Sequence, residues 1–196
     1  MSRRFQRVIA IGLSAVAAIF AGAALADLPA QADVQAGRWQ AHKYTFNFFG
    51  FTTIYSCNGL EDKLKRLLRL TGAGQDAKVV GSCSAGIGVP DKLALAYLTF
   101  SSLQPATGPA TEGGAGGQWR HVSISPGRPH EFERGDCELM EQFRDKVLPM
   151  FTVRNIESSL QCVPHQQAAS YSLSFDVFAP AKNELSPKNG LPPKQS

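Results

Sequence analysis

The sequence predicts an α+β protein made of two β-α-β-β repeats, with an antiparallel or mixed sheet, two helices on one of its faces, and disulfide staples. Three observations predict it. Rare residues recur at a fixed offset, apolar residues alternate on either side of two amphipathic stretches, and four cysteines fall where such a unit brings chain ends together. Trp39 stands 18 residues before Cys57, and Trp119 stands 18 before Cys137. Cys57 to Cys83 is 26 positions, and Cys137 to Cys162 is 25. An alternating strand ending in Phe follows each second cysteine, at Phe100 and Phe178, so the offset drifts only from 80 to 78. Four matches in one order point to an internal duplication, and a period this long means two copies of a supersecondary unit.

The elements can be justified in order. Residues 42–51, HKYTFNFFGF, form a strand with Tyr44, Phe46 and Phe48 on one face. The alternation then slips to Phe49 and Phe51 around Gly50, as a β-bulge requires. Asn58 and Gly59 start the first helix, Leu60, Leu64, Leu67 and Leu68 make its apolar stripe, and Gly72 ends it. Glu61 and Asp62 suit its positive end and can pair with Lys65 and Arg66 one turn on. Short strands follow at 77–83 and 93–100. In the second copy, 119–125 is the strand and Asp136 is the N-cap of a helix over 137–148 that Pro149 ends. Its stripe is Met140, Phe143, Val147 and Leu148. Strands at 152–162 and 171–178 complete the unit.

The first 26 residues set the compartment. Arg3, Arg4 and Arg7 precede an apolar run that closes on Ala24-Leu25-Ala26, the pattern of a cleavable secretory signal. The whole chain carries 20 Lys and Arg against 16 Asp and Glu; the three leader arginines leave 17 basic against 16 acidic residues. A nearly neutral mature chain lacks the electrostatic footprint of a nucleic-acid binder. The resulting organisation is a signal peptide (1–26), a flexible segment (27–38), the first repeat (39–102), a Gly/Pro-rich linker (103–118), the second repeat (119–180) and a disordered tail (181–196).

Geometry addresses the cysteines. In a β-α-β unit the second strand returns to the end where the helix began. A helix over 58–70 and a strand over 77–83 each cover about 20 Å. Cys57 and Cys83 thus meet at one edge, as do Cys137 and Cys162, predicting two disulfides within repeats. Each closes a loop of roughly 25 residues and contributes about 3–4 kcal/mol in the loop-entropy description. The rival reading is a metal site, since Cys162 and His165 have C-x2-H spacing. An even cysteine count in an exported chain favours bridges, which leaves His165 a surface-loop residue.

Other features carry weaker signals. Five aromatics within Tyr44–Phe51 suit a central strand covered on both faces, or else the wall of a ligand pocket. Lys63, Lys65, Arg66 and Arg69 give the first helix a basic outer face, either solvated or touching an anionic membrane surface. The G-x-S-x-G elbow is absent around Cys83, and GGAGGQW lacks the lysine of a phosphate loop. His42, His121 and His130 show no local acid partner; His130 and Glu131 are adjacent, which on a strand would point them to opposite faces.

The phrases HKYTFNFFGFTTIYSCNGLEDKLKRLLRL, DCELMEQFRDKVLPMFTVRN and CVPHQ resemble a group of small exported proteins of gamma-proteobacteria of the xanthomonad type, over about Trp39 to Phe178. The resemblance implies a periplasmic or secreted setting and carries over no catalytic residue, cofactor or metal. The expected function is a non-catalytic binding or interaction module for a protein or envelope component, acting through the groove or sheet face between the repeats. The alternatives are a periplasmic enzyme with a site between the repeats and a metal-binding protein using Cys162 and His165.

Overall fold

The computed structural model describes residues 34–82, 89–106, 115–168 and 170–181. Along these residues run β1 (Gln35–Phe49), α1 (Cys57–Leu70), β2 (Lys78–Ser82), β3 (Leu93–Pro105), β4 (Ala115–Ile124), α2 (Cys137–Lys146), β5 (Val153–Ser159) and β6 (Ser172–Pro180). All strands pair antiparallel in one open sheet of order β2-β3-β1-β4-β6-β5. Each half runs strand, helix, strand, strand, and in each the last strand lies in the middle. The α+β class, the antiparallel sheet and the two helices are those the sequence predicts.

Alternation fixes which face is buried. Phe46 and Phe48 of β1, Ala94, Ala96, Leu98 and Phe100 of β3, Val122 and Ile124 of β4, and Leu173, Phe175 and Val177 of β6 point inward. Leu60, Leu64, Leu67 and Leu68 of α1 and Leu139, Met140 and Phe143 of α2 complete the same core. The opposite face is not covered along the outer part of β1: Lys43, Thr45, Asn47 and Phe49 are exposed. The aromatic-rich strand is therefore covered on one face, the usual state of an antiparallel sheet, and not on both.

The joint between the halves is short. β1 and β3 share thirteen residue pairs, from Gly37 opposite Pro105 to Phe49 opposite Leu93. β1 meets β4 through three pairs only: Gln35 with Gly117, Ala36 with Gly116, and Gly37 with Ala115. From that seam an antiparallel register sends β1 one way and β4 the other. Yet the segments beyond their far ends touch, since the Thr53 hydroxyl donates to the Gly135 carbonyl at 2.8 Å. The sheet therefore bends at the seam, and the halves close on one core.

The seam also corrects the expected boundaries. β1 begins at Gln35, inside the segment read as loose, and β3 and β4 run into the segment read as linker. The reason is close approach. A Cβ on Gly117 would stand 2.2 Å from the ring of Phe178 and 2.8 Å from Leu103, both fully buried. Glycines that read as linker are what lets Leu103 and Phe178 seal the seam, where the Trp119 ring packs edge-on against Phe178. Register also shifts one correspondence between the halves. Phe100 lies opposite His42, and the residue opposite Val122 is Phe175, not Phe178.

Local differences have local causes. β1 stops at Phe49, and Gly50 opens a tight turn in place of a bulge, where a Cβ would strike the Thr53 carbonyl at 2.0 Å. α1 starts at Cys57, one residue before Asn58, with Ser56 as its cap, the Ser56 hydroxyl accepting from the Gly59 N–H at 3.1 Å. At the other end Gly72 takes φ +84°, and Arg120 of β4 donates to the Leu70 carbonyl at 2.8 Å. α2 ends at Lys146, before Pro149, which has no N–H to carry the α-helical ladder on; a 3-10 turn over Leu148–Met150 follows.

Gly117→Ala is expected to destabilise the fold by about 1–3 kcal/mol, because neither buried neighbour has room to withdraw. The urea midpoint checks this, and an unchanged midpoint would show that the seam is not close-packed.

Candidate functional site

Three groups of residues merit examination as a site. The first is a buried polar cluster joining the halves. Asp136, almost fully buried, accepts from the Tyr55 hydroxyl through one oxygen, and through the other from Lys63 Nζ and the Glu133 N–H, both at 2.7 Å. Lys63 also donates to the Glu131 carbonyl. In the first turn of α2, the buried Glu138 accepts from the N–H groups of Phe51 at 3.0 Å and Thr52 at 3.1 Å, and from the Thr52 hydroxyl at 3.2 Å. Asp136 is thus not the side-chain cap the sequence suggests. A 3-10 turn over Arg134–Asp136 leads into α2 and turns its carboxylate toward the other half.

The cluster's chemistry is that of a clasp. Both Asp136 oxygens are engaged, and Glu138 is spent on the turn at Phe51 and Thr52. Burial, and then the Asp136 carboxylate, push the Tyr55 hydroxyl well above the ordinary phenol range; burial does the same to Tyr171. Phenols held so firmly neutral are poor proton donors and acceptors at physiological pH. The adjoining cleft, of about 270 Å³, is lined by Gly59, Asp62, Lys63, Arg66 and Glu131. Two of its charges form an ion pair, Arg66 lying 3.0 Å from Glu131, and Lys63 is taken by Asp136.

The second group lies on the outer face of the second half. His121 of β4 and Asp176 of β6 are register partners, 3.0 Å apart. Asn155 donates to the same carboxylate at 2.8 Å from a left-handed backbone position in β5. These hydrogen bonds, Asn155 first and His121 second, hold the Asp176 carboxyl below its usual range. The Arg154 guanidinium stacks 4.0 Å from the centre of the Trp119 ring. The set is largely internally satisfied and sits on an open sheet face.

The third group is apolar. On the outer face of the first half, Val80 lies opposite Tyr97 across β2 and β3, and Leu93 lies opposite Phe49 across β3 and β1. All four are 47–58 % exposed. The Phe49 ring meets that of Phe51, also half-exposed, at 4.9 Å, and Phe51 in turn faces His165. Scattered exposed apolar residues are ordinary; a run of them on one face marks an interaction surface.

The residues singled out from the sequence are placed as follows. Cys137 and Cys162 form a disulfide with Cα atoms 5.6 Å apart. Cys57 is disulfide-bonded as well, and the partner the sequence assigns it, Cys83, lies outside the described residues. Gly81, two positions before Cys83, packs so close to Cys57 that a Cβ there would stand 2.7 Å from its carbonyl oxygen. With its sulfur in a disulfide, Cys162 has no thiolate to offer a metal, and His165 is an exposed loop residue. Among the described residues no three His, Cys, Asp or Glu side chains gather as metal ligands, and no helix is long and apolar enough to cross a membrane.

The basic face of α1 is largely paired: Lys63 with Asp136, Lys65 with Glu61 and Arg66 with Glu131, while Arg69 sits in the last turn. His42 is held below its usual pKa by burial and bonds Ser102 at 2.8 Å. His130 and Glu131 come within 3.4 Å because they lie in a turn and not on a strand. Scans of the chain against protein-family models, curated proteins and solved structures each find no match.

Asp136→Ala is expected to cost about 2–4 kcal/mol, since it strands the Lys63 ammonium and the buried Tyr55 hydroxyl together. Tyr55→Phe removes one hydrogen bond and is expected to cost about 1 kcal/mol. Chemical denaturation checks both; equal costs would contradict the clasp.

Proposed function

We propose that the protein is an exported, non-catalytic binding module that holds another protein of the cell envelope on the outer face of its first half. The observation that carries this is the set Val80, Tyr97, Leu93 and Phe49, large side chains left half-exposed in two cross-strand pairs on one face, with Leu95 between them on β3. Their exposure runs against the burial drive of roughly 1.5–3 kcal/mol for each large apolar side chain. A partner that covered them would recover part of that.

The signal sequence and the disulfide chemistry support export, because such bonds persist in oxidising compartments. The reading places the docking surface away from the joint between the halves, where Leu103 and Phe178 already fill the space. Internal duplication is part of the proposal, and the like order of elements in the two halves supports it. The resemblance to small exported proteins of gamma-proteobacteria supports the exported setting.

The test is a photo-crosslinking amino acid introduced at Tyr97, with Ser123 on the outer face of the second half as control, in the cells that make the protein. A discrete protein adduct from Tyr97, absent from Ser123, is the expected result. Absence of an adduct from Tyr97, or the same adducts from both positions, would refute this docking surface.

A further inference from the structure

We infer that the segment docking on this face is acidic as well as apolar: a partner-protein surface whose carboxylates meet Lys43 and Lys78. The inference rests on the docking reading just given and names the partner's chemistry. One step along the strands from the Val80–Tyr97–Thr45 row lies the row Lys78–Thr99–Lys43. Side-chain alternation puts both rows on the same open face, and all three residues of the second row are exposed. Two strand spacings separate the lysines, about 10 Å, and Lys43 lies about 20 Å along β1 from Phe49.

Of the six described lysines, three have side-chain partners and three, Lys43, Lys78 and Lys92, do not. Lys63, Lys65 and Lys146 are each bonded to an acceptor from another residue. Lys43 and Lys78 have no ion-pair or side-chain hydrogen-bond partner among the described residues. The carboxylate closest in register, Asp76, precedes Lys78 by two residues and accepts from the Ser101 hydroxyl at 2.8 Å. The face thus presents an apolar strip ending in two uncompensated cations. Its electrostatic complement is an apolar segment with carboxylates at one end.

A protein fits better than an anionic membrane. Recognition of acidic lipid by charge takes clusters of four to eight basic residues, at about 1 kcal/mol each. Here there are two, the remaining basic side chains of α1 are mostly paired, and the mature chain has nearly balanced charge.

The experiment is the Tyr97 crosslink repeated in K43E/K78E and K43Q/K78Q chains, with thermal melts confirming that both fold. Adduct yield is expected to fall about tenfold on reversal and less on neutralisation, the scale of two lost exposed ion pairs. Mapping of the adduct should place Asp or Glu within a few residues of the joined site. An undiminished adduct in K43E/K78E would overturn the acidic partner while leaving the docking face standing. Loss of the adduct from the unaltered chain would instead remove the docking face itself. Sedimentation of the unaltered chain with phosphatidylglycerol vesicles, abolished by K43E/K78E, would overturn the protein partner in favour of a membrane.

Discussion

Two half-sheets joined by three residue pairs cannot hold their angle through that joint alone, and the carboxylates of Asp136 and Glu138 supply the missing constraint. Both sit at the start of α2 and both reach into the first half, to Lys63 and Tyr55 and to the turn at Phe51–Thr52. With the far ends tied, the angle between the halves becomes a closed core holding both helices. The same ties carry a cost if broken, because buried charge and buried hydroxyl would both lose their partner.

The disulfide belongs to this arrangement. Cys137 is the first residue of α2, directly after Asp136, and its bond to Cys162 ties the loop after β5 to the helix that carries both carboxylates. That loop also accepts from Thr52 through the Val163 carbonyl. Crosslink, ion pair and backbone capping thus meet in one small region, where the two halves of the chain touch farthest from the seam. The outer sheet face of the first half is left free away from the seam, since the carboxylate ties work from the inner side and the Leu103–Phe178 seal is confined to the joint.

Much of this was legible in the sequence. Cysteine spacing gave the Cys137–Cys162 bond, because helix and strand lengths are set by fixed rises per residue. Alternation identified the strands, and the leucine stripe identified α1. What stayed hidden depends on register between distant strands. Asp136 reads as a helix cap because its local context is that of a cap; its real partners lie 73 and 81 positions away. His121 and Asp176 look unrelated until β4 and β6 are laid side by side. Gly37 and Gly117 read as loop residues, yet their missing side chains make the seam possible. The open face was hidden for a different reason. A strand rich in aromatics looks the same whether one face or two are covered, and only the path of the helices decides which.

The central claim is that the halves share one core and fold as one unit. Each half carries one tryptophan, Trp39 and Trp119, so W119F and W39F give single-tryptophan chains that report on the halves separately. Urea unfolding of each, followed by tryptophan fluorescence and by far-ultraviolet circular dichroism on the same samples, is the direct measurement. The account predicts that within each variant the two signals coincide at one midpoint. A tryptophan transition displaced from the backbone transition, with one half melting while the other keeps its structure, would contradict it.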